Sequence, residues 1–343
     1  MAGPRRRLRP LARVQSSNGN PDVALTERVQ GIAHFAPRYH RSLARVTTEI
    51  GSSLLTRRIP MTPESLFHYT DTAGLLGILL EGPKLWASDV RFMNDAQELI
   101  YAQDAVVEGI RTMSSPTLRE DHWAHELGKR AVQTFEKYKG LVLDDVAAAN
   151  LGVYVVCFCE SGDLLSQWRG YGKNEGYVIE FRADSLQEGH QSIGAYPEAT
   201  GLFPVGYGLG AVSDGVSRTV AAVELFNLNH PGVKASYKAL TVAAILATIK
   251  HPGFSEEREW RLITAFQDIQ GEGYGLHSIP TKFRQSSVGL SPYIELSVPM
   301  DSVVSIRVGP GDRTEIREAA VSRLLKSVKS NAVVLHSTIP FRG

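Results

Sequence analysis

The run Glu257-Arg258-Glu259-Trp260-Arg261 crowds two carboxylates and two guanidinium groups into five residues. In an extended strand, successive side chains alternate, so Glu257, Glu259 and Arg261 would share one face and Trp260 and Leu262 the other. Two carboxylates beside a guanidinium can stabilise a developing cation or orient a hydroxyl. The plainer alternative is a solvated strand face anchored by Trp260. A second candidate is His68-Tyr69-Thr70, which closes a short strand directly before a helix start. An imidazole there titrates near neutrality and can donate or accept at the mouth of a cleft; otherwise it is a structural histidine with Tyr69 in the core. Trp168 and Tyr171, in LLSQWRGYGKNEG, are flat rings that could stack on a heterocycle, or else pack inward.

Other groupings carry less chemistry. Asn94 or Asp95, with Glu98 behind, suits a capping box. Gly309-Pro310-Gly311 before a helix start could hold a phosphate on backbone N–H groups, but such turns are common connectors. His122 and His125 lie three apart on a predicted helix without a third ligand, so no metal site is expected. Gly206, Gly208 and Gly210 follow no strong strand and do not make a dinucleotide fingerprint. Cys157 and Cys159, the only cysteines, would lie on one strand face roughly 6.5–7 Å apart, past comfortable disulfide reach. They are expected to be free thiols of a reducing compartment.

The elements that must position these residues alternate irregularly. Ser65–Thr70 reads as a strand, and Asp71 caps a helix that carries Leu75, Leu76, Leu79 and Leu80 and ends at Gly82. Lys84–Ser88 is extended, and two or three helices are expected between Asp95 and about Asn150. Gly152–Cys159 is the strongest strand. A short helix over Leu164–Arg169 leads to a strand at Gly176–Arg182, and Phe203–Gly210 is ambiguous. A helix at about Tyr237–Lys250 and a strand at Glu259–Phe266 follow. The end reads as strand Val303–Val308, a helix from Asp312 (with Glu315 as its box partner) to about Lys329, and strand Ala332–His336. This mixed order predicts an α+β fold, with a split or curved central sheet and a helical insertion. The domain is expected over 61–343, behind a partly disordered, partly helical extension at 1–60.

The 343 residues, 43% hydrophobic and 21% charged, can bury a sizeable core. A formal net charge of +1 provides no global attraction to nucleic acid, so a nucleic-acid role is not favoured. No apolar run reaches the roughly 18–20 residues of a membrane span. The basic start (Arg5, Arg6, Arg7, Arg9, Arg13) has no apolar segment behind it. A cytoplasmic protein without a membrane partner is expected.

Taken in order, FHYT with its apolar helix, KLWAS, MNDAQE, VCFCESGDLLSQWRGYGKNEGYVIEF, HPGFSEEREWRLI, VGPGDR and STIPFR resemble the bacterial domain-of-unknown-function family 2971, from about Ser65 to Arg342. The family name implies no activity. A histidine on a strand before a helix, an aromatic middle and a glutamate on a late strand are also similar to the His–Tyr–Glu layout of ADP-ribosyltransferases. That resemblance implies NAD as substrate and an unknown macromolecular acceptor, or plain NAD hydrolysis, in a toxin or phage-defence setting. It puts His68 on the ribose hydroxyls with Tyr69 and Thr70 beside it, Trp168 or Tyr171 on nicotinamide, and Glu259 at the oxocarbenium-like centre. Glu257 and Arg261 would be its polar partners. It requires His68 and Glu259 to face one cleft. The competing expectation is a non-catalytic binding or sensor domain, in which these polar residues do not converge.

Overall fold

The computed structural model describes residues 62–93, 96–113, 151–172, 176–188, 200–229, 235–267, 279–286 and 289–340. All lie in the unit Ile59–Gly343. The expected N-terminal extension, the Asn94–Asp95 cap and the helical stretch beyond Met113, with His122 and His125, fall outside the described residues.

The described elements are β1 (Ser65–Thr70), α1 (Thr72–Leu79), β2 (Lys84–Asp89), α2 (Ala96–Met113), β3 (Leu151–Cys159), β4 (Tyr177–Arg182), α3 (Ala183–Glu188), β5 (Gly201–Pro204), β6 (Gly206–Tyr207), α4 (Gly208–Asn229), α5 (Ala235–Leu246), β7 (Ile249–Lys250), β8 (Glu259–Gln267), β9 (Lys282–Ser286), β10 (Gly289–Ser297), β11 (Val303–Val308), α6 (Thr314–Ser327) and β12 (Val333–His336). The fold is α+β. Among the described residues ten strands join one mixed sheet, in the order β12-β11-β4-β1-β3-β2-β10-β9, with β8 also on β3 and β5 on β8.

The sheet forks at β3. A strand has two hydrogen-bonding edges, and β8 occupies one of them along the whole of β3, from Leu151↔Gln267 to Cys159↔Glu259. Strands β1 and β2 therefore divide the other edge. β1 meets it at Phe67↔Cys159, and β2 meets it at Ser88↔Val155 and Asp89↔Tyr154. The short stretch between them faces a gap bounded by β1 and β2. Helix α1 leaves β1 at this point and touches β1, β2 and β4. Asp71 starts α1 by accepting the Gly74 N–H on Oδ1 at 2.9 Å. Gly82, at φ 85°, turns the chain into β2.

Alternation sorts the sheet's side chains. Leu66, Leu85, Val156, Phe158, Ile179, Phe181, Trp260, Leu262 and Ile294 pack on one side with Leu75, Ile78 and Leu79 of α1, Leu186 of α3, and Val321 and Leu325 of α6. The other side of β3 and β8 is covered by α5, which packs with α4 and α2. A small separate cluster on that side joins Tyr69, Cys159, Trp168 and Val178.

Several sequence expectations need correction. The helix expected at Leu164–Arg169 is one α turn, Leu165–Gln167, running into a π-helix, Trp168–Gly172. Helix α4 was not expected, because Gly208, Gly210 and Gly215 weaken the helical signal. Helix α5 stops at Leu246, and Ile249–Lys250 instead pairs in parallel with Gly206–Tyr207. The Asp312–Glu315 box does not form. Arg313 holds the N-cap position at φ 57° without a side-chain cap, and the Thr314 hydroxyl donates back to the Gly311 carbonyl. The hairpin β9–β10 also went unread.

Candidate functional site

Glu257, Glu259 and Arg261 do not form a solvated face. Glu257 is not in the strand at all: it ends a 3-10 helix, Pro252–Glu257, from which Arg258 turns at φ 40° into β8. Glu259 and Arg261 do share a face of β8, but they are 4% and 3% exposed. Arg261 grips Glu259 along the strand, with Nε donating to Oε1 at 2.7 Å and Nη2 to Oε2 at 3.0 Å. Its Nη1 donates to the Ala247 carbonyl at 2.7 Å. Lys250, 2% exposed, donates to Glu259 Oε2 at 3.1 Å and to Glu257 Oε2 at 2.7 Å. The Glu259 N–H donates to the Tyr207 hydroxyl at 2.9 Å.

This is a network of two buried cations, Lys250 and Arg261, with the buried Glu259 and the half-buried Glu257. Burial pushes the Glu259 pKa up, but the charge and hydrogen bonds of Arg261, the charge of Lys250 and a hydrogen bond to Cys157 outweigh it. The group is held at about 2. The neighbouring Cys157 thiol is pushed well up, first by burial and then by the Glu259 charge. Both cysteines are free, Cys157 half-buried and Cys159 buried. A small cavity beside Arg261 has apolar walls that include Val90, Leu99, Leu246 and Ile249.

His68 lies elsewhere. Phe67 pairs with Cys159, and Cys159 with Glu259, so Glu259 shares a face with Phe67 and alternation turns His68 to the opposite one. The imidazole Nδ1 sits 2.9 Å from the Cys157 carbonyl, in the gap of the fork. The ring lies 5.7 Å from that of Phe158. Burial, opposed by the Cys157 hydrogen bond and reinforced by the charge of Arg284, lowers its pKa. His68 and Glu259 therefore do not converge.

The remaining candidates separate as well. Tyr69 is buried, donates from its hydroxyl to the Ser161 carbonyl at 3.0 Å and accepts the Leu164 N–H at 2.8 Å. Trp168, 2% exposed, meets Tyr69 edge-on at 5.0 Å and donates from Nε1 to Asp163 at 2.8 Å. A ring so enclosed offers no face for stacking. Tyr171 is exposed on the π-helix. Thr70 packs against α1 so closely that a Cβ on Gly74 would overlap its hydroxyl. In the Gly-Pro-Gly turn, the Gly309 N–H donates to the Gly176 carbonyl, and Arg317 bonds both the Gly309 and Gly176 carbonyls. These bonds tie the turn to the start of β4.

Two groups went unread in the sequence. Lys250 does leave a signal, as a lone charge closing a long apolar segment. Arg284 in KFRQS leaves none, because its environment comes from strands far away in the chain. It lies on β9 opposite Ser291, with its guanidinium 5.7 Å from the Trp86 ring and 6.0 Å from the Tyr293 ring. Among the described residues no three His, Cys, Asp or Glu side chains gather as metal ligands. No described helix is long and apolar enough to cross a membrane.

A family model described as "Protein of unknown function (DUF2971)" matches residues 167–262. The match supports the resemblance drawn from the motifs; it spans Trp168, Lys250, Glu259 and Arg261 and leaves His68 and Arg284 outside. No match is found among curated proteins or among solved structures. The likeness to ADP-ribosyltransferases has no counterpart in these comparisons.

Proposed function

We propose that the Ile59–Gly343 unit is a binding module for a small ligand, seated at the fork of its sheet, and that Glu259 is structural. One observation carries this reading: Glu259 is fully engaged by Lys250 and Arg261 and faces away from His68. A carboxylate that stabilises an oxocarbenium-like centre must reach the ligand with charge to spare. Glu259 has neither access nor spare charge. The experiment is nicotinamide release from NAD by purified full-length protein, with and without cell lysate, beside His68→Ala and Glu259→Gln. We expect no release above the protein-free control. Release that disappears in both variants, each shown to be folded, would overturn the proposal.

A second reading keeps one observation in its favour. The histidine-bearing β1 and the glutamate-bearing β8 are separated by β3 alone, the strand arrangement that the likeness to an NAD-consuming transferase asks for. The bond from ribose C1′ to nicotinamide would then break, nicotinamide would leave, and the ADP-ribose would bond to water or to a macromolecular acceptor. That chemistry needs Glu259 to leave both cations, or another carboxylate to take its place.

A further inference from the structure

Strand β12 ends at His336, and the run Ser337-Thr338-Ile339-Pro340 that follows it pairs with no strand. Pro340 lacks a backbone donor and cannot extend the ladder. Among the described residues one backbone bond holds this segment, from the Ser337 N–H to the Val308 carbonyl at 2.8 Å. At its root Arg307 Nη1 donates to the His336 carbonyl at 2.8 Å. Thr338 and Pro340 are exposed, while the half-buried Ile339 packs on the cluster of Tyr69, Cys159, Trp168 and Val178.

What fastens the segment is one carboxylate. Asp163 Oδ1 accepts from the Ser337 hydroxyl at 2.6 Å and from Trp168 Nε1 at 2.8 Å. Its Oδ2 accepts from the Thr338 N–H at 3.0 Å and from the Thr338 hydroxyl at 3.3 Å. The Ser337 hydroxyl in turn accepts the Ile339 N–H at 3.1 Å. Two successive amides of the segment therefore depend on Asp163, one directly and one through Ser337. Burial pushes the Asp163 carboxyl up, but the bonds from Ser337, Thr338 and Trp168 and the charge of Arg307 outweigh it and hold it below its ordinary value. The ionised form is the one that grips.

These attachments differ in kind from those of the strands. β11 is laddered on both edges, to β4 and to β12, whereas the segment beyond β12 has a side-chain clasp and one apolar contact. Regions with few buried contacts open locally, at a free energy below that of global unfolding. We infer that Ser337–Pro340 is a strap that opens as a unit, with Asp163 as its latch, and that opening bares the seat of Ile339 on the Tyr69–Trp168–Cys159 cluster. Closed, the strap fills that seat and occupies the carboxylate. Open, it presents an apolar surface edged by two aromatic rings, with Asp163 at hand and freed of its strap bonds. This surface lies on the face of β1 opposite to His68, so the strap stands independently of the binding-module reading.

The test is native-state hydrogen exchange on the full-length protein at neutral pH, read at the Thr338 and Ile339 amides in low urea and compared with the amides of β3. We expect both strap amides to be protected, yet to exchange faster than β3 and at a rate that low urea leaves unchanged. Asp163→Asn keeps the shape and removes the charge. It should speed both strap amides about tenfold or more, the scale of one lost charge-assisted hydrogen bond, while β3 keeps its protection. Ser337→Ala leaves the bond between Asp163 and Trp168 in place and should speed the same two amides, which decides the matter should Asp163→Asn not fold. Cys159 should also react faster with a small thiol reagent in either variant, read by fragment mass spectrometry to separate it from Cys157. Strap amides that exchange only together with β3, or that keep their wild-type rates in the folded variants, would overturn the strap. Faster amides with unmoved Cys159 labelling would overturn the claim that opening bares the seat.

Discussion

Arg261 and Arg284 both stand on strands of one sheet, and both are largely withdrawn from water, yet their surroundings differ in kind. Around Arg261 each charge meets its opposite: Glu259 takes two of its donors and Lys250 besides, and Ala247 takes the third nitrogen. Around Arg284 the neighbours are two aromatic rings and one hydroxyl. A closed network holds structure; removing one member leaves an uncompensated buried charge. An incompletely partnered cation gives up less when it is removed, and it has interactions left to offer a ligand. The contrast separates what Glu259 and Arg284 do, and mutation can probe it from both ends.

The largest effect belongs to Glu259→Gln. It strands Lys250 and Arg261 with only Glu257 to balance them, and should cost on the order of 3–5 kcal/mol of folding stability. Urea unfolding at neutral pH measures this directly. A loss below about 1 kcal/mol, the scale of an exposed pair, would show that the network is not the closed unit its geometry suggests.

Acid probes the same residue without mutation. The Glu259 pKa, at about 2, lies below its ordinary 4.5, so its stabilisation is complete above 4.5 and is lost as pH falls from there toward 2. The amount is on the order of 3 kcal/mol. His68 contributes separately. Its pKa is lowered from 6.5, so the unfolded chain takes up that proton first and stability begins to fall as pH drops through 6.5. Urea midpoints between pH 7 and 3 should therefore show two declines. Glu259→Gln should flatten the lower one and leave the upper one intact. A lower decline that persists in the variant would assign it to other carboxylates.

How far the sequence carried the argument depends on the range of the interaction. Short-range signals were legible: β1, β3 and the Asp71 cap follow from local alternation and capping chemistry. The shared face of Glu259 and Arg261 did too, because residues two apart on a strand need nothing else to be known. The same alternation had placed Glu257 with them, and there Arg258 at φ 40° broke the register. Whether that face met water was not legible, because its cover is α5 and its counter-ion Lys250 arrives through the separate pairing of β6 with β7. The separation of His68 from Glu259 was likewise hidden. It depends on the register of β1 and β8 on opposite edges of β3, across about 190 residues of chain. Arg284 was invisible for the same reason, since Trp86 and Ser88 lie almost two hundred positions earlier in the sequence.

The smallest expected effect makes the sharpest comparison. Arg284→Gln removes two ring contacts and the bond to Ser88, and each is worth a fraction to about 1 kcal/mol. It also relieves a charge that burial disfavours and removes a buried Nε without an acceptor. These contributions oppose one another, so unfolding stability should change by no more than about 1 kcal/mol in either direction. The same urea experiment used for Glu259→Gln applies. Should the two variants lose equal stability, Arg284 would be a structural residue like Arg261. Near-neutral stability would instead mark Arg284 as a residue whose charge the fold does not depend on.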